Sequence, residues 1–412
     1  MNAPEAGHKY CCGCAQEIVE SLRFGIPPDG CVRELTVGRE HEISYLLNHL
    51  SGTSRSLLVK ANWGAGKTHL LRLLQEEALA RGYITSFVTA DANAAVRFNR
   101  MDQVFGAACQ NIQIPGKRER GLQHLLDVFV EAYNDEPFRP GLREISNNGR
   151  WDYSEFLAAP AVFIALRAWL FAVQSTNGHV TRNTILDWFG SPWVYRTQRR
   201  VLYRELVDRD RAMFRDSRAE WQFYADNVFF FHTDGHRQSW DALNDLHVLA
   251  QALGYAGLIL LVDEFEDVIR NLGRINWQQA AFWNLFTMFR GQKFKGQSYF
   301  AVTPDFEQRC KHLLLEKMIV DYDYNQFDQL PSCRITPPTG GQLLTLIPRL
   351  VDIHEAAYGW KADEPKIQLT LARTCDELEK SVMADRVRMT IKKMVAFLDD
   401  VYGKRLSHGT RT

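Results

Sequence analysis

Two short stretches of the chain hold residues whose types and spacing suit phosphoryl chemistry. The first is KANWGAGKTHLL, Lys60 to Leu71. Gly64 and Gly66 lack a Cβ, so backbone N–H groups ahead of a following helix can close round an anion. Lys67 can reach the β- and γ-phosphates of a nucleotide, and the Thr68 hydroxyl can ligate Mg2+. Asn62, Trp63, Gly64, Ala65, Gly66, Lys67, Thr68 and His69 therefore form the expected binding loop, with ATP as the ligand. The motif G-x-x-x-x-G-K-[ST] opens on glycine, and this chain has Ala61 there. Alanine costs little at negative φ and on the order of 1 kcal/mol at positive φ. Trp63 is expected to point out of the loop and pack beside it, and His69 to pack or bond on the helix.

The second stretch is LILLVDEFE, Leu258 to Glu266. Its continuous apolar run predicts a central strand buried on both faces. Asp263 at the strand end can hold the Mg2+ water shell, beside Thr68, and Glu264 can polarise a water for in-line attack on a γ-phosphate. Glu264 is thus the candidate that separates hydrolysis from simple binding. Glu266 and Asp267 read as helix-start acids favoured by the macrodipole. Thr303 ends a further strand, SYFAVT, where it is either a catalytic γ-phosphate sensor or a cap for the next helix.

These residues need a scaffold. Arg55 to Lys60 is of strand length, Thr68 to Arg81 is a helix ending at Gly82, and Tyr83 to Ala90 is β-branched and strand-like. Strand, glycine loop, helix, strand is a β-α-β unit, so a parallel sheet with helices on its faces is implied. From about Pro137 Trp, Phe and Arg become frequent without strand–helix alternation. After Pro337 the chain reads as helical. The expected architecture is an α/β P-loop NTPase core of AAA+-like type with a helical insertion and a C-terminal helical lid. Its segments are 1–33 (N-terminal helix), 34–136 and 236–336 (core), 137–235 (insertion) and 337–412 (lid).

At 412 residues two or three domains are the prior. Lys+Arg and Asp+Glu stand at 49 each, so no global field points to nucleic acid or an anionic membrane. The N-terminus lacks a basic segment followed by an apolar run. The most apolar stretch, Pro160 to Val173, is too short to span a bilayer and reads as a buried core helix. No membrane association is expected. Eight cysteines at this length do not make a disulfide scaffold, which suggests a reducing cytoplasm. Cys11 and Cys14 have zinc-ligand spacing, with His8 and Cys31 nearby, but no second C-x-x-C completes a set.

Beyond chemistry and spacing, the residues resemble a known group. LTVGRE, Leu35 to Glu40, is similar to the segment that packs near adenine in AAA+ and STAND-type ATPases, which implies adenine contacts for Val37, Gly38 and Arg39. ESLRFGIPPDGCVRELTVGREHE, WGAGKTHLLRLL and LLVDEFE together resemble the ATP-binding proteins of BREX-type phage-defence systems. The likeness runs to about Arg120 and again from Leu253 to about Tyr358, with LVDIHEAAYGW fitting a lid helix. It implies an ATPase working beside other defence proteins, such as a helicase, methyltransferase or nuclease-like component. In such ATPases an arginine completes the site. Arg386 and Arg388 are candidates in cis, Arg309 and Arg334 in trans, and Arg349 is a further one.

The function expected is therefore an ATP-hydrolysing regulatory motor or switch, with a homo-oligomer among its candidate states. An ATP-gated scaffold with little turnover is the alternative. A DNA-engaging loader is a third reading, resting on Arg196, Arg199, Arg200 and Arg204. Glu205, Asp208 and Asp210 follow closely, so a salt-bridged helix face is the preferred account of that patch.

Overall fold

The computed structural model describes residues 12–409 apart from 53–54, 91–95, 135–156, 177, 192–195, 210–217, 232–236, 269–271, 320–321, 363–366, 368, 372 and 374–385. His8, Cys11 and Asp210, and the side chains of Glu205, Asp208 and Arg386, lie outside the described residues.

A six-stranded sheet forms the centre. Its strands are β1 (Ser56–Lys60), β2 (Ile84–Thr89), β3 (Ile112–Gln113), β4 (Leu258–Asp263), β5 (Gln297–Val302) and β6 (Ser332–Arg334), in the order β3-β2-β4-β5-β1-β6. All neighbours run parallel except β3, which pairs antiparallel with β2 at one edge. Strand residues alternate between two apolar layers, as a period of two demands. Leu58, Leu260, Val262 and Phe300 enter one cluster, and Leu57, Val59, Ile259, Leu261, Tyr299 and Ala301 enter the other. Cover on both faces explains why these strands read as unbroken apolar runs.

The second layer is covered by α2 (Glu40–Ser51) and α3 (Lys67–Ala80), through Leu46, Leu50, Leu70, Leu71 and Leu74. The first is covered by many helices, among them α4 (Met101–Gln110), α5 (Leu122–Asn134), α6 (Pro160–Gln174), α7 (Gly178–Gly190), α8 (Arg196–Arg209) and α9 (Arg218–Phe223). Later in the chain α10 (Arg237–Ala252), α11 (Ile275–Arg290), α12 (Phe306–Glu316) and α13 (Asn325–Asp328) join the same side. The expected buried helix is α6, whose Ala165 and Trp169 are fully enclosed. The described helices of the 137–235 stretch therefore share the sheet's own core. Asp245 on α10 fastens one of them, since its carboxylate accepts the N–H groups of Ala158 and Ala159 at 2.9 and 2.7 Å, just before α6 begins.

A third cluster stands apart from the sheet. It joins α1 (Cys12–Phe24) to α14 (Gly340–Leu344), α15 (Ile347–Tyr358) and α16 (Arg386–Gly409) through Ile18, Val19, Leu22, Leu346, Leu350 and Met394. The N-terminal helix is thus packed with the C-terminal helices rather than standing alone. Arg23 reinforces the join, donating to both Asp399 carboxylate oxygens at 2.8 and 2.7 Å and to the Tyr358 hydroxyl at 2.7 Å. His354 Nε2 lies 3.0 Å from Asp399 Oδ1, and the Trp360 indole donates to His354 Nδ1 at 2.9 Å.

Among the described residues no helix is long and apolar enough to cross a membrane. Cys14, Cys31, Cys109, Cys310 and Cys333 are free thiols. No group of three His, Cys, Asp or Glu side chains among the described residues could hold a metal ion.

Candidate functional site

The glycine loop leaves the end of β1 and feeds directly into α3. Gly64 and Gly66 adopt φ of 72° and 92°, in the left-handed region that disfavours a side chain. Ala61 keeps a negative φ, because Glu264 and Met318 are the non-glycine residues with positive φ among those described. The missing opening glycine therefore introduces no backbone strain.

Lys67, 8% exposed, begins α3 and folds back under the loop. Its ammonium donates to the Ala61 carbonyl at 3.1 Å, lies 3.1 Å from Glu266 Oε1 and sits 4.9 Å from the centre of the Trp63 ring. Trp63 is indeed outside the loop and half exposed. The Glu266 contact is an ion pair without hydrogen-bond alignment, since neither Glu266 oxygen has a well-formed hydrogen bond. Glu266 is only 1% exposed. Burial raises its pKa, against the pull of the Lys67 charge. Glu266 is a helix-start acid as expected, in the first turn of the short 3-10 helix Phe265–Asp267, and that turn carries it inward beneath the loop.

Thr68 Oγ1 donates to Asp263 Oδ2 at 2.7 Å, and the Glu264 N–H reaches Asp263 Oδ1 at 3.0 Å. Burial raises the Asp263 pKa, opposed by these two bonds and by Lys67 and Arg72. The Thr68 hydroxyl and the Asp263 carboxylate are hard oxygen donors of the kind Mg2+ takes, brought together from separate elements. Glu264 follows with φ 55°, a backbone state that costs a non-glycine residue of order 1 kcal/mol or more. Such strain turns the chain sharply at the strand end, so Asp263 and Glu264 both line the cleft.

Arg39 supports the loop from behind. It is 6% exposed and its Nη2 donates to the Ala65 carbonyl at 2.5 Å. Its Nη1 lies 3.5 Å from Glu42, which accepts from the Thr336 N–H and hydroxyl at 3.2 and 2.9 Å. Gly38, at φ 62°, lies against Gln342, where an added Cβ would come within 2.3 Å of a side-chain carbon. Gln342 closes a capping box with Thr339 at the start of α14. His69 Nε2 is 2.8 Å from Thr36 Oγ1, and burial, with Arg39 adding to it, lowers its pKa to about 4. It is a bonded helix residue, as expected.

One cleft gathers these groups between the sheet and the third helical cluster. Arg39, Asp263, Glu264 and the loop from Asn62 to His69 give its polar lining, and Val37 packs with its apolar residues. Leu22, Leu35, Leu343, Leu346, Val387 and Ile391 line its apolar end. Thr303 lies outside the lining, one residue past β5. It is 4% exposed, its hydroxyl has no hydrogen-bond partner, and α12 has no side-chain cap.

Of the candidate arginines, Arg388 lines the cleft from α16. Arg349 instead donates to the Glu34 carbonyl, pinning the N-terminal segment. Arg309 lies on α12, and Arg334 is exposed at the end of β6. The Arg196 patch is internally engaged. Arg196 pairs with Asp226 at 2.9 and 2.5 Å, Arg199 donates to the Ala225 carbonyl at 2.6 Å, and Arg200 stacks 4.8 Å over Trp221. The described partner is Asp226, further along the chain than the acids nearest in sequence.

Residues 14–151 match the family model described as BREX system ATP-binding protein BrxC/D. The resemblance to BREX-type ATP-binding proteins is borne out over that span, which includes the Val-Gly-Arg-Glu box and the glycine loop. No curated protein and no solved structure matched the chain.

Proposed function

We propose that the chain binds and hydrolyses ATP with a P-loop NTPase core of AAA+-like build, as a regulatory motor or switch beside other components of a BREX phage-defence system. The observation that carries this reading is the meeting of Lys67 and Thr68 with Asp263 and Glu264 in one cleft. Strand β5 lies between β1, which leads into the loop and α3, and β4, which ends at Asp263, so the two pairs are brought together across the sheet. The family match over residues 14–151 supports ATP as the ligand and BREX proteins as partners.

The roles follow from chemistry. Loop N–H groups between Asn62 and Thr68, with the positive end of α3, would cradle the phosphates. Lys67 would bridge the β- and γ-phosphates. Thr68 and Asp263 are the donors that would hold Mg2+, which neutralises phosphate charge when bound. Glu264, strained at the strand end, would orient and deprotonate the attacking water. Thr303, one residue past β5 and outside the cleft lining, is the candidate γ-phosphate sensor, with its hydroxyl unpartnered. The apolar end of the cleft suits the base, with Val37 and Arg39 beside it. Arg388 is the arginine best placed to complete the site in cis. Because the cleft's far wall is α1 and the C-terminal helices, nucleotide state would change the angle between core and lid.

Steady-state ATPase of the wild type against Lys67→Ala and Glu264→Gln, with and without double-stranded DNA, tests this. Turnover lost in both variants is expected. Nucleotide binding without turnover in the wild type would sink the motor and leave an ATP-gated scaffold.

A further inference from the structure

Lys67 is already engaged on three sides. Its ammonium contacts the Ala61 carbonyl at 3.1 Å, Glu266 Oε1 at 3.1 Å and the Trp63 ring at 4.9 Å. A loop lysine that is to bind phosphate would ordinarily need only a weak, replaceable partner. Here one partner is a carboxylate 1% exposed, inside the protein and without a well-formed hydrogen bond.

From this geometry we infer that Glu266 and Trp63 form a cage that holds Lys67 away from phosphate, so that nucleotide must displace the lysine from an internal counter-ion before it is bound. The inference rests on the reading of this loop as the phosphate site. The energetics give its direction. Removing one partner of a buried ion pair leaves the other charge uncompensated and is strongly unfavourable. Nucleotide that draws Lys67 toward its phosphates imposes that situation on Glu266. It also brings anionic phosphate near an existing buried anion, and like charges in a low-dielectric site repel. Both effects oppose binding and both vanish when Glu266 is neutral. Trp63 adds a smaller cation–π attraction, weaker because the ring is half exposed. The cage therefore sets a concentration threshold for nucleotide without touching the groups assigned to metal or water.

The test is isothermal titration calorimetry of the intact chain with ATP, ADP and inorganic tripolyphosphate, each with and without Mg2+. Tripolyphosphate lacks a base, so it reports on the phosphate end alone. The variants are Glu266→Gln, Trp63→Ala, Lys67→Ala and the Glu266→Gln/Lys67→Ala double. Glu266→Gln is expected to tighten all three ligands by about tenfold. Trp63→Ala should tighten tripolyphosphate by about twofold. The gain from Glu266→Gln should disappear in the double variant, because it acts through Lys67. Unchanged or weaker binding in Glu266→Gln, with Lys67-dependent binding in the wild type, would overturn the cage and leave the phosphate site standing. If neither the wild type nor Glu266→Gln binds any ligand, the ATP reading itself falls and the cage with it. Should Glu266→Gln fail to fold, as a thermal melt would reveal, surface-exposed Trp63→Ala decides alone: tighter tripolyphosphate supports the cage and no change refutes it.

Discussion

The Thr68 hydroxyl donates to Asp263 Oδ2 at 2.7 Å, tying the first turn of α3 to the end of β4 across 195 residues of sequence. This single bond joins the two stretches on which the proposed chemistry rests. Asp263→Ala should keep the loop but remove one of two oxygen donors. ATP turnover is expected to fall by about a hundredfold, the equivalent of roughly 3 kcal/mol of transition-state stabilisation. Initial rates across a Mg2+ titration check this, and an undiminished rate with the same Mg2+ requirement would remove Asp263 from the site.

Arg39 has a structural consequence separate from any ligand. Arg39→Ala strips the Ala65 carbonyl of its donor and takes the nearby cation from Glu42. A cost of about 1–3 kcal/mol is expected, because buried groups lose their partners. Urea melts of wild type and variant, without nucleotide, measure it.

Asp245 makes stability depend on pH. Burial pushes its carboxyl up to about 7, although the N–H groups of Ala158 and Ala159 pull the other way. An unfolded aspartate titrates near 3.9, so between that pH and about 7 the folded state holds a proton that the unfolded state has lost. Stability contributed by this group is therefore present below the unfolded value and is lost as pH rises through about 7. Asp245→Asn should flatten the fall in melting temperature between pH 5 and about 7.5. An unaltered pH slope in the variant would assign that fall to other groups.

Asp399 gathers Arg23 and His354 where α1 meets the C-terminal helices. Asp399→Ala leaves the guanidinium without its two-pronged acceptor. The groups are partly exposed, so a cost of only about 1–2 kcal/mol is expected. Hydrogen exchange should show lost protection across Cys12–Phe24 while β4 keeps its own.

The Arg196 patch should contribute little to DNA affinity. Arg196, Arg199 and Arg200 already have internal partners. Replacing Arg196 with alanine should leave any double-stranded DNA binding, and its salt slope, unchanged. A steep salt slope that flattens by about one unit in Arg196→Ala would instead mark a phosphate contact.

Much of the framework was legible in the chain itself. The apolar run Leu258 to Val262 announced a central strand because a strand covered on both faces has no polar side to show. Gly64 and Gly66 announced the loop because its left-handed turns demand them. Strand β3, at two residues, and β6, at three, were too short for any period to register. Both owe their existence to neighbours already in place.

Local pattern thus determined the longer elements and which residues could touch phosphate, since backbone dihedrals and side-chain alternation act over a few residues. Only the tertiary structure decided what lies beside them. It brought Glu266 under Lys67, Arg39 against Ala65 and the N-terminal helix onto the C-terminal ones. Those outcomes depend on how layers pack and which charges are enclosed together, and burial is a property of the assembled chain rather than of any segment of it.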